Sequence, residues 1–350
     1  MPLDLISNLA SLYYKDRLEE LKEYASNASD IQSEQLFDLL REAELTEWGK
    51  QYDFANIFSY QDFREKIPVT DSKSIEPYLK RIEKGESNIL WPGSPKKILK
   101  SFNGVNIPVS IQSIEESHMQ GLNDLYAIHL RDYPESKLFA GYFLSVGNDG
   151  ENAFFDEIST MLRENDTFLF SLLSLPKKAE MCAMSEESIE QFIKEITTEK
   201  ISCFRGSPEG LSKFIEKARI FRKDIGNLDF ISGAEVLFCK TTTSTDKLED
   251  LKRTLNLPVP LKSYFCSPEG FIGMQEKADD MSYLLMLDLS AFYEFLPANG
   301  TEMKPIPLED VEPGISYQLV ITNCSGLWRY KSDGPKLKFI SKAPYRFILV

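Results

Sequence analysis

Apolar residues at helical spacing dominate the first fifty positions. Leu18, Leu21 and Tyr24 recur every three residues, and Leu36, Leu39 and Leu40 repeat the stripe beyond Asp30 and Ser33. Side chains three and four apart share one face of an α-helix, so residues 3–48 predict helices buried on one side. The run TEWGKQYDF is expected to end the second helix, with Gly49 as its stop. In IPVTDSKSIEPYLKRIEKG a short extended piece leads into a helix opened by Asp71 or Ser72 and closed by Gly85.

The texture changes after Trp91-Pro92. KKILKSF and NIPVS read as short strands flanking a polar loop, and a helix is expected from about Ser113 to Leu130. KLFAGYFLSVG, ISCFRGSPEG and LDFISGAEVLF are apolar runs of strand length, with helical patterns at 185–200 and in LSKFIEKARIF between them. Buried strands alternating with helices predict an α/β architecture. From YLLMLDLSAFYEFLP onward, helices give way to strands and turns. The expectation is one large domain over 1–350, with a helical opening (1–90), an α/β part (91–285) and a β-rich part (286–350).

Composition narrows the partners. A 42% hydrophobic and 27% charged chain of 350 residues has enough apolar material for a folded core. Its formal charge of −14 would repel a phosphate backbone, which argues against nucleic acid. No apolar run approaches the ~20 residues that span a bilayer, and the N-terminus lacks the cationic start of a signal peptide. A cytosolic protein without a membrane partner is the expectation. Cys182, Cys203, Cys239, Cys266 and Cys324 are odd in number and widely spaced, so neither a disulfide framework nor a CxxC metal pair is visible. His118 and His129 fall on one expected helix, roughly 16 Å apart along its axis. They cannot share a metal or a proton and read as partly exposed helix residues, which speaks against histidine-based nucleophilic catalysis.

The stretch KSFNGVNIPVS at 100–110 has the outline of a phosphate-binding loop, with a small polar residue and a glycine before a strand. Such a loop needs glycines that turn backbone N–H groups inward, hydroxyls that donate to phosphate oxygens, and a lysine for charge. Few of those are present, and an ordinary hairpin with Asn103-Gly104 at its turn is the competing reading.

Four further stretches, in order, carry a resemblance. The opening TEWGKQYDF with IPVTDSKSIEPYLKRIEKGESNILWPG, then YFCSPEGFIGMQ, LSAFYEFLP and YQLVITNCSGLWRYKSDG together resemble the auxin-responsive acyl-acid amido synthetases, particularly their bacterial relatives. That family belongs to the adenylate-forming enzymes, which activate a carboxylic acid with Mg·ATP and in many cases pass the acyl group to an amino acid. The resemblance implies an adenylate-forming-type large domain, with sheets sandwiched by helices and a β-rich portion. It also implies a smaller C-terminal lid bearing a mobile lysine, and the sequence stops at Val350 short of such a lid.

The resemblance also implies site residues. Ser101, Asn103 and Gly104 stand where the family has its phosphate loop, without the lysine; losing two charge-assisted hydrogen bonds would remove about 3–6 kcal/mol. Glu269 and Gly270 match the segment whose glutamate helps hold Mg²⁺ and the ATP phosphates. Ser267 lies beside them, and Pro268 stands at the family's serine without a donor. Tyr264 aligns with the family tyrosine only with one extra residue; otherwise Phe265 takes its place. A lone carboxylate in a turn is otherwise usually solvated. Tyr293 and Glu294 lie on a strand that lines the nucleotide region in the family, although a charge in such a strand usually faces solvent or pairs with an arginine. Arg329 and Tyr330 match the family and could equally serve packing. Asp333 stands near the family's ribose-binding aspartate, but Asp333-Gly334 reads more readily as a hairpin turn.

Three readings follow. The first is a degenerate homologue, weakly active or inactive, kept for binding a carboxylic acid or a protein partner. The second is a working ATP- and Mg-dependent acyl-activating, amide-forming enzyme completed by a separate lid. The third is a purely structural module whose former cleft is filled by Phe102, Phe265 and Trp328.

Overall fold

A computed structural model describes residues 14–146, 174–175, 193, 201–225, 233–241, 251, 259–277, 280–298 and 304–350. They group into two compact units. One takes the described residues within Met1–Glu20, Leu122–Phe265 and Met274–Met281, the other those within Leu21–Gly121, Cys266–Gly273 and Ser282–Val350. The second unit thus brings together parts of all three sequence segments distinguished above.

The first unit is a parallel sheet in the order β7-β6-β5-β3-β4. Its strands are β3 (Tyr142–Val146), β4 (Ser174–Leu175), β5 (Ile201–Gly206), β6 (Val236–Lys240) and β7 (Leu261–Ser267). All residues of β5, β6 and β7 are buried, as strands covered on both faces must be. The expected strands in KLFAGYFLSVG and ISCFRGSPEG are present, and that in LDFISGAEVLF falls at β6. The helix expected at 185–200 lies outside the described residues. LSKFIEKARIF lies within the helix Pro208–Ile225. The helix expected from Ser113 continues to Asp132, first as a π-helical stretch Ser113–Met119 and then as the α-helix Gln120–Asp132.

Both histidines on that segment are buried, each 1% exposed, not partly exposed as their helical setting suggests. Within the first unit, His129 Nε2 lies 2.9 Å from Ser136 Oγ, which in turn reaches Glu235 Oε2 at 3.1 Å. Burial, reinforced by Lys262 and opposed by Asp132, lowers the His129 pKa to about 4. The ring is therefore neutral at physiological pH.

The second unit has the strand order β11-β10-β12-β14-β15-β9-β8. These are β8 (Gly270–Met274), β9 (Tyr283–Leu285), β10 (Ala291–Pro297), β11 (Ile306–Pro307), β12 (Ser316–Asn323), β14 (Leu337–Lys342) and β15 (Tyr345–Leu349). A short β13 (Tyr330–Lys331) also pairs with β12, and every registered pair is antiparallel. The hairpin of β1 (Lys97–Lys100) and β2 (Asn106–Val109) stands apart from this sheet. Helix Ala28–Ala43 buries Leu36, Leu39 and Leu40, the predicted stripe. Its Gln32 amide donates to Leu287 O and Ala291 O and accepts the Tyr293 N–H, clamping the start of β10.

Gly49 does not end a helix. The first stop comes at Ala43, and Gly49 lies inside a short second helix, Glu47–Gln51, capped by Thr46. Its role is close approach: a Cβ there would meet Ala43 O at 2.2 Å. The helix Ser72–Ile82 begins as predicted, with Asp71 accepting the Ser74 N–H. The four described cysteines, Cys203, Cys239, Cys266 and Cys324, are buried, and no described helix is long and apolar enough to cross a membrane.

Candidate functional site

The loop between β1 and β2 is a three-residue hairpin, 102–104. Ser101 N–H donates to Val105 O at 2.8 Å and Gly104 N–H to Ser101 O at 3.1 Å, with Gly104 at φ +76. A turn followed by a left-handed residue is a common three-residue hairpin closure, and glycine adopts that conformation without strain. Asn103 and Gly104 are thus the last two loop positions and not a two-residue turn.

This loop holds an anion from its own chain. Ser101 Oγ accepts the Val105 N–H at 3.1 Å and donates to Asp333 Oδ2 at 2.6 Å. Asn103 N–H reaches the same Oδ2 at 3.2 Å, and its side-chain amide donates to Asp333 O at 3.2 Å. A hydroxyl and a backbone N–H on one carboxylate oxygen are the donors that a phosphate oxygen would take.

Asp333-Gly334 is not a hairpin turn. The strands on either side, β13 and β14, both pair with β12 rather than with each other. The bend is fixed instead by side chains. Gln318 Nε2 donates to Ser332 O and Gly334 O, and Gly334 N–H donates to Ser332 Oγ at 3.2 Å. Phe102 packs over Gly334 so closely that a Cβ there would lie 2.9 Å from its ring.

Glu269 comes to the same place from the turn before β8. It is 1% exposed, not solvated as a lone turn carboxylate is expected to be. Asn323 Nδ2 donates to its backbone oxygen at 2.6 Å, and Ser332 Oγ donates to its Oε1 at 3.2 Å. Among the described residues neither its Oε2 nor Asp333 Oδ1 has a hydrogen-bond partner. Burial raises the Glu269 pKa and the Asp333 charge adds to it, against the opposing pull of Ser267, Ser332 and the backbone. Burial also raises the Tyr330 pKa, with Glu269, Asp333 and Asp71 adding to it. Ser101, Asn103, Asp333 and, through Ser332, Glu269 are thus brought together, with Gly104 closing the loop, Tyr330 near enough for both carboxylates to act on it, Gly270 opening β8 and buried Ser267 beside Glu269.

Ser332 was not singled out by sequence reasoning, yet it links Glu269 to the Asp333 bend. The available signal was a hydroxyl next to Asp333 in RYKSDG.

Glu294 and Arg329 form a separate buried cluster. Arg329 Nε and NH2 donate to Glu294 Oε2 and Oε1, both at 2.7 Å, and NH1 donates to Ile67 O and Arg64 O. Tyr60 OH adds a third bond to Glu294 at 2.9 Å, and Phe63 lies under the guanidinium. Arg329 is held at φ +46, its N–H on Thr322 Oγ1 and its carbonyl on the Thr70 N–H. Tyr293 is buried, its N–H on Gln32. Both Glu294 oxygens and all three guanidinium nitrogens are thus used within the protein. Trp328, adjacent to Arg329, packs against Phe54 and Trp91.

The family models settle the lineage. The GH3 family N-terminal domain matches residues 17–189 and the GH3 family central domain residues 284–344. The chain belongs to the GH3 family of acyl-acid amido synthetases. Jasmonoyl--L-amino acid synthetase JAR4 of Nicotiana attenuata is 23% identical over 92% of this chain and 68% of its own length. Indole-3-acetic acid-amido synthetase GH3.2 of Arabidopsis thaliana is 21% identical over 93% and 76%. The solved structure of the acyl acid amido synthetase GH3.15 with 2,4-DB superposes with a TM-score of 0.75 at 19% identity, covering 96% of this chain and 70% of that one. A 2-hydroxyisobutyryl-CoA ligase with 2-HIB-AMP and CoA gives 0.60 at 12% identity, over 90% and 72%. The fold is thus the α/β fold of GH3 proteins and other adenylate-forming enzymes, as the sequence motifs imply.

Proposed function

We propose that this GH3-family chain is a degenerate acyl-acid amido synthetase, weakly active or inactive in adenylation, and retained to bind a carboxylic acid or a partner. The observation that carries this reading is the Asp333 carboxylate on the donors of the loop, Ser101 Oγ and Asn103 N–H. Adenylation relies on positioned donors and cations that stabilise charge on the transferring phosphorus centre. Here the loop donors are engaged by an internal anion. Glu269 and Asp333 make the neighbourhood acidic, and Arg329 is consumed by Glu294. The residues as arranged do not fit a triphosphate in the loop.

One observation favours a working enzyme. Glu269 Oε2 and Asp333 Oδ1 are buried carboxylate oxygens without donors, suited to a cation and to sugar hydroxyls respectively. In that second reading Asp333 leaves the loop before Mg·ATP enters.

Exchange of labelled pyrophosphate into ATP tests the two. The relatives are named for jasmonoyl, indole-3-acetic acid and 4-substituted benzoate substrates, so acids of these kinds form the panel. The degenerate reading predicts acid-dependent exchange that is absent or only marginally above the no-enzyme control. Exchange that depends on an acid and vanishes in Glu269→Ala establishes the working enzyme instead.

A further inference from the structure

Strands β5 and β6 are parallel neighbours in the first unit, so their carboxyl ends share one edge. Register sets Ser145, Arg205, Phe238 and Lys262 abreast across four strands. Residues paired abreast stand on the same face, as do residues two apart along a strand. Lys240, two beyond Phe238, is therefore on the face of Arg205 and nearer the edge. Both are buried, Arg205 at 7% and Lys240 at 4% exposure.

Among the described residues Arg205 has only neutral partners: NH1 donates to Tyr126 OH at 2.7 Å and NH2 to Ser145 Oγ at 2.9 Å, while Nε meets no acceptor there. No ion pair joins it to a carboxylate among the described residues. Two other buried cations of this fold do have carboxylates: Lys262 has Asp132 and Arg329 has Glu294. A guanidinium stays charged and presents five N–H donors in a planar fork suited to an oxyanion, and burying it without a counter-charge is strongly unfavourable. The 18-residue helix Pro208–Ile225 starts just after β5, with Ser207 Oγ accepting the Gly210 N–H, so its positive dipole end lies at the same edge. Carboxyl ends of parallel strands are where open α/β sheets take ligands.

We propose that the carboxyl edge of β5 and β6 is an oxyanion subsite, anchored by Arg205, for the carboxylate or phosphate group of a small acid. Tyr126, the first hydroxyl on Arg205, packs among Phe139, Phe143 and Phe238, giving the subsite an aromatic flank. Cys203 takes no covalent part, since burial pushes its thiol up to about 12 against the pull of Arg205. The subsite belongs to the first unit and stands independently of whether the loop of the second unit takes a nucleotide.

Calorimetric titration of the intact chain with sodium benzoate, and separately with inorganic phosphate at matched ionic strength, tests this. At least one anion should bind saturably with a Kd below about 1 mM. Benzoate alone identifies a carboxylate site and phosphate alone a phosphate site. Arg205→Met should weaken binding at least tenfold, and Arg205→Lys, which keeps charge but loses the fork, should weaken it severalfold. Should Arg205→Met fail to fold, Tyr126→Phe takes its place, with at least threefold weakening expected because the guanidinium loses its orienting acceptor. Absence of saturable binding of either anion to the folded wild-type chain overturns the proposal, as does an unchanged Kd in the folded variants.

Discussion

At Glu269 one carboxylate oxygen accepts the Ser332 hydroxyl, and the other has no donor placed on it among the described residues. Its folded-state pKa is raised by burial and by Asp333, so its linkage to folding has a definite sign. Stability from this group is complete below the unfolded carboxyl value and is lost as pH rises through the higher folded value. Glu269→Gln, which cannot ionise, should therefore melt above wild type at pH 7, with the gap narrowing towards pH 4. A variant that melts below wild type at pH 7 would contradict the burial argument. His129 runs the other way. With its folded pKa near 4 against 6.5 for the unperturbed ring, its contribution is full above 6.5 and is lost as pH falls towards 4, by up to about 3 kcal/mol. His129→Gln should flatten that acid limb of the stability–pH curve measured by urea denaturation.

At the scale of elements, periodicity located most strands and helices because burial on one or both faces imposes period 3.6 or a continuous apolar run. It failed where a residue's role is set by a neighbour distant in sequence or by tertiary packing. Gly49 reads as a stop, yet its missing side chain lets the short helix approach Ala43 O. Gly49→Ala should cost about 1–3 kcal/mol through that overpacking, seen as a lower denaturation midpoint. Asp333-Gly334 reads as a hairpin, but the partners that decide otherwise, Ser101, Asn103 and Gln318, are remote from it in the sequence or belong to another strand. The buried state of Glu269 and the Glu294–Arg329 pairing share that cause. The sequence did supply the pairing as one option for Glu294, since a buried strand tolerates a charge when an arginine meets it. Arg329→Met leaves Glu294 buried with Tyr60 as its remaining side-chain partner and should destabilise by about 3–5 kcal/mol. A loss under 1 kcal/mol in the same measurement would show that the pair is not what holds β10 to this cluster.

For the molecule as a whole, fold and lineage were legible because four motifs and the strand–helix alternation are spread along the chain. The state of the proposed nucleotide site was not, because it turns on one carboxylate: Asp333 fills the loop, and only the working-enzyme reading has it leave the loop to a nucleotide. Calorimetric titration of Mg·ATP into the wild-type chain separates these most directly, since it needs no choice of acid. The internal anion predicts no binding heat at millimolar ATP with the protein folded. Binding tighter than about 100 μM that disappears in Glu269→Ala would contradict it, and would mean that Asp333 yields the loop to a nucleotide.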